Sequence, residues 1–155
     1  MSVVEIVSIP RSEKPILERD MQDYIAEFLP YDPAIPREPP YIYPVLDAYW
    51  WNAGHWPFWA KVDGAIAGFA LLRAADGVTE MAEFYVRPAF RRNGLGLTFA
   101  RMLIARFPGR WTVSQYQAKT DAVAFWHRVL DGRAFTERDY LSANGNARVE
   151  QAFEV

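Results

Sequence analysis

The apolar positions of this chain fall into blocks whose period changes from strand-like to helical and back. Val3–Ile9 is rich in β-branched residues and stops at Pro10, which predicts a first strand. Behind Ser12 and Pro15, the apolar set Leu17, Met21, Tyr24, Ile25 and Phe28 recurs at helical spacing. An amphipathic helix is expected there, with Ser12 as its cap and Pro30 as its end. Six prolines from Pro30 to Pro44 each restrict φ and remove a donor, which predicts an extended, irregular segment. Bounded by folded elements and dotted with Tyr31, Tyr41 and Tyr43, it reads as an ordered loop that covers something.

Phe58–Val62 and Ala65–Arg73 flank Asp63-Gly64, a strong hairpin signal. Asp76-Gly77 leads on to Thr79–Val86 and completes a three-strand antiparallel meander. A helix is expected from about Asn93 to Phe107, with Leu95, Phe99, Met102, Leu103 and Phe107 on one face and Pro108-Gly109 as its stop. Trp111–Gln115 reads as a strand, Thr120–Leu130 as a helix, and Asp131-Gly132 as a turn. Short strands follow near Phe135–Tyr140 and Ala147–Phe153, around Asn144-Gly145. The order β-α-β-β-β-α-β-α-β-β is a mixed α+β pattern, and 155 residues suit one domain with one well-formed core.

Composition narrows the function classes. With 17 basic against 19 acidic residues, nothing draws the whole chain to nucleic acid or to an anionic membrane. The basic residues are local instead: Arg87, Arg91, Arg92, Arg101, Arg106 and Arg110 surround Gly94, Gly96 and the helix that follows, which fits a small polyanion. The absence of cysteine excludes disulfides, thiolate catalysis and cysteine-based metal sites. His55 and His127 are isolated from each other and from further ligands, so no metal is expected. The start lacks a basic n-region and no apolar run approaches a membrane span, which makes a cytoplasmic location the expectation.

The chemistry concentrates in Glu83-Phe-Tyr-Val-Arg-Pro-Ala-Phe-Arg-Arg-Asn-Gly-Leu-Gly96. An aromatic strand pattern runs into two arginines and two glycines, and a helix starts at once. Such a junction aims backbone N–H groups and a helix N-terminus at one point, which suits a phosphate. Gly94 and Gly96 permit positive φ and carry no Cβ to hold the ligand off, while Arg91 and Arg92 add charged donors.

That segment resembles the acetyl-CoA-binding motif of the GNAT superfamily of N-acetyltransferases, a strand followed by Arg/Gln-x-x-Gly-x-Gly/Ala and a helix. Here the motif reads Arg91-Arg92-Asn93-Gly94-Leu95-Gly96 without gap or substitution. A weaker match, Ala122-Val-Ala-Phe125-Trp126-His-Arg128, is similar to the family's Ala-x-x-Phe/Leu-Tyr/Trp-x-Lys/Arg stretch. The resemblance implies a GNAT-like mixed, mostly antiparallel sheet flanked by helices and splayed at the acetyl-CoA site. It also implies acetyl-CoA as co-substrate. The diphosphate would rest on the N–H groups of Arg92 through Gly96, and the pantetheine would pair with Phe84, Tyr85 and Val86. Phe125, Trp126 and Lys119 complete the implied cofactor side, Lys119 standing where relatives often carry asparagine.

For direct transfer to an amine, a carboxylate that accepts a proton would help. Glu80 and Glu83 share the strand before the loop. Residues three apart face opposite ways unless a bulge intervenes, so one of them at most is expected at the acceptor. Glu83 is preferred as the nearer to the glycine loop, and Glu80 holds a position where some GNAT enzymes carry their base. Many relatives place a tyrosine where this chain has Trp126, and an indole N–H is no useful proton source. Tyr116, Tyr85 or water would protonate the leaving sulfur, or CoA leaves as a thiolate. Trp126 itself reads as core beside the pantetheine.

Four tryptophans lie between Trp50 and Trp59. They suit core, interface or acceptor pocket alike, and Trp51, His55 and Trp56 are the acceptor-side candidates. The leading reading is an acetyl-CoA-dependent N-acetyltransferase acting on a primary amine of a small molecule or protein. The alternative is a non-catalytic acyl-CoA-binding sensor or regulatory module. A structural protein that uses the aromatic run as its interface is a third reading; separately, the aromatics hint at a homodimer, though a covered pocket would look the same in sequence. A Rossmann-type nucleotide site is disfavoured because the strands before the loop read as hairpins.

Overall fold

The structure is a computed structural model that describes residues 2–155. Seven strands form one sheet: β1 (Val4–Ser8), β2 (His55–Val62), β3 (Ala65–Ala75), β4 (Val78–Val86), β5 (Arg110–Tyr116), β6 (Phe135–Leu141) and β7 (Ala147–Glu154). Their spatial order is β1-β2-β3-β4-β5-β7-β6, antiparallel throughout except for the parallel pair β4–β5. Four helices accompany them: α1 (Lys14–Ala26), α2 (Ala48–Trp51), α3 (Leu95–Arg106) and α4 (Thr120–Val129). Among the described residues no helix is long and apolar enough to cross a membrane.

The meander forms where Asp-Gly pairs predict it. Asp63 and Gly64 have φ of 49° and 85°, and Asp76 and Gly77 have 53° and 76°. Two left-handed residues in a row give the tight turn whose twist matches that of the flanking strands. Gly68 on β3 meets a second demand, because a Cβ there would collide with the Tyr85 carbonyl oxygen. The two backbones approach that closely because no side chain separates them.

Two expectations need correcting. Ser12 does not cap α1; it lies inside a 3-10 turn, Arg11–Glu13, and the helix starts at Lys14 with Pro15 in its first turn and no capping side chain. Proline at that position is tolerated because the missing N–H has no intrahelical partner to lose. The sequence pattern also missed α2, a single turn whose aromatic residues carry no helical periodicity.

The sheet separates two apolar layers. On one face α3 and α4 cover Phe58, Ala70, Leu72, Met81, Trp111 and Val113, and contribute Phe99, Leu103, Trp126 and Val129. On the other, α1 and the α2 region bury Leu17, Met21, Tyr24 and Tyr49 against Trp59, Phe69, Leu71 and Tyr85. Each fully buried side chain of this size contributes about 1.5–3 kcal/mol, so both layers hold the sheet rigid between them.

One feature of the sheet makes the site. β4 pairs with β5 only from Val78 to Glu80, against Arg110 to Thr112, and the strands then part. The parting coincides with a bulge in β4: Leu72 faces Met81 and Leu71 faces Glu83, leaving Ala82 without a partner on β3. A bulge bends its strand and steepens the local twist, which turns the end of β4 away from β5.

Candidate active site

The parted strands open a cleft of about 950 Å³. Met81 to Val86 line it from β4, Val113 to Tyr116 from β5, and the glycine loop, α4 and α1 close its ends. The proline-rich segment forms its cover, through Asp32, Ile35, Tyr41, Ile42 and Tyr43. Side chains pin that cover. Gln22 exchanges two hydrogen bonds with the backbone of Tyr41, at 2.7 and 2.8 Å, and Arg37 donates to the carbonyls of Leu29, Asp32 and Ile35.

At the glycine loop Arg92 (φ 72°) and Gly94 (φ 81°) take left-handed conformations, and Gly94 stands immediately before α3. Thr98 is the first N–H to reach back into the helix, to the Gly94 carbonyl, and no side chain caps this end. The N–H groups before it have no intrahelical acceptor, so the helix start offers donors and a positive dipole end to an anion. The two glycines meet different demands. An added Cβ at Gly94 would meet nothing within 4 Å, so the demand there is its φ. At Gly96 a Cβ would lie 3.2 Å from the Phe125 ring, so that glycine seats α4 against α3.

The neighbouring charges are largely engaged. Arg91 donates to the Val86 carbonyl at 2.8 Å and to Glu27 at 2.9 Å, with its guanidinium over the Tyr85 ring, so it braces the end of β4 to α1. Lys119 is held by Asp121 at 3.1 Å. Arg92, Gly94, Gly96, Lys119, Phe125 and Trp126 line the cleft, while Asn93 and Leu95 do not, and the Leu95 side chain is buried in the core.

The bulge overturns the expectation that the two carboxylates face opposite ways. With Ala82 set aside, Glu80 opposite Arg73 and Glu83 opposite Leu71 fall on the same face, that of α1. They are separated by their partners instead. Glu80 is gripped by both Nε and a terminal nitrogen of Arg73, each at 3.0 Å, and is not among the cleft-lining residues. Glu83 lines the cleft and accepts a hydrogen bond from the Tyr24 hydroxyl at 2.5 Å. Burial pushes its carboxyl up to about 7, against the pull of Tyr24 and the charges of Arg148 and Arg73.

The tyrosines considered as acids keep their protons. Tyr116 donates to Asp32 at 2.8 Å, and burial together with that carboxylate raises its hydroxyl well above the ordinary range. Burial works to raise Asp32, yet hydrogen bonds from Tyr116 and the Ala34 N–H hold it below the usual carboxylate value. Tyr85 is pushed up to about 12 by burial and by Glu27 and Asp23. Trp126 is buried edge-on against Phe84 at 5.2 Å, which is a packing role.

The tryptophan-rich run is not at the cleft. Trp59 is fully buried and donates to Glu13, Trp50 donates to the Ile9 carbonyl, and Trp56 packs on Phe107 at 4.9 Å. His55 stands edge-on to Tyr49, and Trp51 is 70% exposed beside Arg11. Trp51, His55 and Trp56 therefore line no part of it. The aromatic wall is built instead by Tyr24, Phe28, Tyr41, Tyr43 and Tyr116, with Arg148 beside them. Arg148 carries no local signal in the sequence, because its partners Ser114 and Tyr116 come from another strand.

Comparison with known proteins agrees with this architecture. The sequence profile of the Acetyltransferase (GNAT) family matches residues 19–131. No curated protein matched the sequence significantly. Among solved structures, an acetyltransferase from Thermus thermophilus superposes with a TM-score of 0.74 at 12% identity, over 99% of this chain and 97% of that one. Spermidine N-acetyltransferase from Vibrio cholerae, in complex with CoA and spermine, gives 0.67 at 13% identity, over 97% and 95%. The ribosomal-protein-S18-alanine N-acetyltransferase from Escherichia coli gives 0.63 at 18% identity, over 99% and 94%. At these identities the superpositions speak for the fold, and the profile match over most of the chain speaks for descent: the protein belongs to the GNAT acetyltransferase family.

Proposed function

We propose that the protein transfers an acetyl group from acetyl-CoA to a primary amine by direct attack, with Glu83 as the base. The observation that carries this reading is the placement of the Glu83 carboxyl in the wall of a cleft that begins at an uncapped helix N-terminus, where burial pushes it up to about 7. A base poised near neutral pH is half ionised where it must accept a proton, which is where general-base catalysis is most effective.

When bound, acetyl-CoA would supply the activated acetyl group, the new C–N bond finally replacing its C–S bond. The α3 N-terminus and the left-handed backbone at Arg92 and Gly94 suit its diphosphate, and the room beside Phe125 and Val86 suits an extended arm. Beyond Glu80 the cleft edge of β4 is released by β5, so its outward N–H and C=O groups are free to pair with that arm and to hold an oxyanion. Glu83 takes the amine proton directly or through water. The phenols of Tyr116 and Tyr85 are too weakly acidic to protonate the sulfur readily, so CoA leaves as a thiolate and is protonated by solvent.

The sensor reading shares the glycine loop but gives Glu83 no task. CoA release measured against a panel of primary amines, alongside calorimetric acetyl-CoA binding, separates the two. Turnover lost in Glu83→Gln with binding retained supports the transferase. Binding without turnover for every amine sinks it.

A further inference from the structure

Four charged side chains of the cleft have close polar partners. Glu83 has Tyr24, Asp32 has Tyr116, Arg91 has Glu27, and Lys119 has Asp121. Arg92 and Arg128 also line the cleft without an ion pair among the described residues, but both are exposed, and Arg148 is the half-buried one. It projects from β7 opposite Tyr116 of β5, half-buried, with its guanidinium carbon 4.2 Å from the centre of the Tyr116 ring. One terminal nitrogen donates to the Ser114 hydroxyl at 3.0 Å. Asp32 and Glu83 feel its charge, but among the described residues no carboxylate lies within 4 Å of it. Stacked on a ring and tethered at one nitrogen, the guanidinium is held in orientation while most of its five donors are unspent.

A half-buried cation without a paired counter-charge is costly unless a ligand completes it. The chemistry that completes an oriented guanidinium is a planar anion able to accept two parallel hydrogen bonds. The same cleft presents Glu83 to an amine and aromatic walls from Phe28, Tyr41 and Tyr43 to an apolar group. A polyamine would meet Arg148 as a like charge, and a protein N-terminus has its first α-carboxyl tied up in a peptide bond. Resting on the acetyl-transfer reading above, we propose that the acceptor is a small amino acid with an apolar side chain, its carboxylate bound by Arg148 and its amine directed to Glu83. On this account Arg148 selects the substrate and handles no proton itself, although its charge is one of those that bear on Glu83.

The test uses three matched acceptors: phenylalanine, phenylalanine amide and phenethylamine, with tryptophan, leucine and methionine as further free acids. Each is titrated calorimetrically into the protein saturated with CoA, and each is assayed for CoA release from acetyl-CoA. The wild type is expected to bind at least one free acid about ten- to a hundredfold more tightly than its amide. Arg148→Gln should lose most of that margin, seen in binding and in KM, while affinity for the amide, which has no carboxylate to lose, changes far less, and Arg148→Lys should keep part of the margin. Thermal melting and CoA affinity of both variants report whether the fold and the cofactor side survive. The proposal is overturned if the wild type binds no free acid better than its amide, or if Arg148→Gln weakens acid and amide alike. Turnover bears on the other reading: acid-selective binding that depends on Arg148, with no CoA release, would overturn the acetyl-transfer reading and leave the amino-acid site standing.

Discussion

The Tyr24 hydroxyl donates to Glu83 Oε2 at 2.5 Å, joining α1 to the bulged strand β4 across 59 residues of sequence. It favours the charged carboxylate, whereas burial favours the neutral acid, and burial wins to set a value near 7. Four elements feed the balance: Tyr24 from α1, Glu80 from β4 itself, Arg73 from β3 and Arg148 from β7, while Tyr43 of the cover lies near enough for Glu83 to raise its hydroxyl.

The rate should report this balance. The kcat/KM of the wild type for an accepted amine is expected to rise with pH through an apparent pKa of about 7. Tyr24→Phe removes a donor to the carboxylate, so that limb should move to higher pH. Glu83→Gln should abolish it and lower kcat by about 10²–10⁴. A limb that keeps its position in Tyr24→Phe would mean that another group titrates.

Stability should carry the same signature with a definite sign. The Glu83 carboxyl titrates near 4.5 in the unfolded chain and about 7 in the fold, so between those values the native state holds the proton more tightly. Its contribution is therefore present below about 4.5 and is lost as pH rises through about 7, by up to about 3 kcal/mol. Urea unfolding of the wild type and Glu83→Gln at pH 5 and 8 checks this. The variant should show the smaller loss between the two.

Gly96 and Phe125 form the joint between α3 and α4. Gly96→Val should drive the Phe125 ring out of place, costing about 1–3 kcal/mol and weakening CoA binding. Phe125→Ala in the same background should recover CoA affinity in part, because the clash is with that ring. If the double variant binds no better than Gly96→Val, the glycine's demand lies elsewhere.

Arg91 is a brace before it is a ligand. Its pair with Glu27 is more than a third exposed on both sides, so Glu27→Gln should cost only about 0–1 kcal/mol. Arg91→Ala also uncovers the Val86 carbonyl and the Tyr85 ring, and should destabilise more. CoA affinity measured by calorimetry should fall in Arg91→Ala but persist, since the proposed cradle rests on backbone N–H groups.

Trp126 is a packing residue. Trp126→Ala should cost about 3–5 kcal/mol of stability. Trp126→Tyr should not raise kcat if, as the proposed mechanism has it, sulfur protonation is left to solvent. A faster tyrosine variant in stopped-flow or steady-state assay would show that proton delivery limits the reaction.

Local pattern carried the elements. The Asp-Gly turns, the helical spacing from Leu17 to Phe28 and the stop at Pro108-Gly109 depend on residues within a few positions of one another. Ser12 and α2 escaped for the converse reason: Pro10 and Pro15 shift the helix start, and one turn of Tyr49, Trp50 and Trp51 has no period to read. The glycine loop was legible because strand, turn and helix start follow one another in the chain. The aromatic wall of the cleft was not, and the run at Trp50 to Trp59 drew attention to residues that pack elsewhere.

Contiguous residues were enough to establish the order of strands and helices apart from α2, the glycine loop and the resemblance to the family, since each is written in a short stretch of chain. Which of two carboxylates faces the cleft was settled in three dimensions, by one bulged residue, Ala82, and by the Arg73 grip on Glu80. The meeting of Tyr24 with Glu83, and the stacking of Arg148 on Tyr116 with no ion pair among the described residues, arose there too. Pairings across dozens of residues follow from how two apolar layers close around a twisted sheet, and no local pattern encodes them.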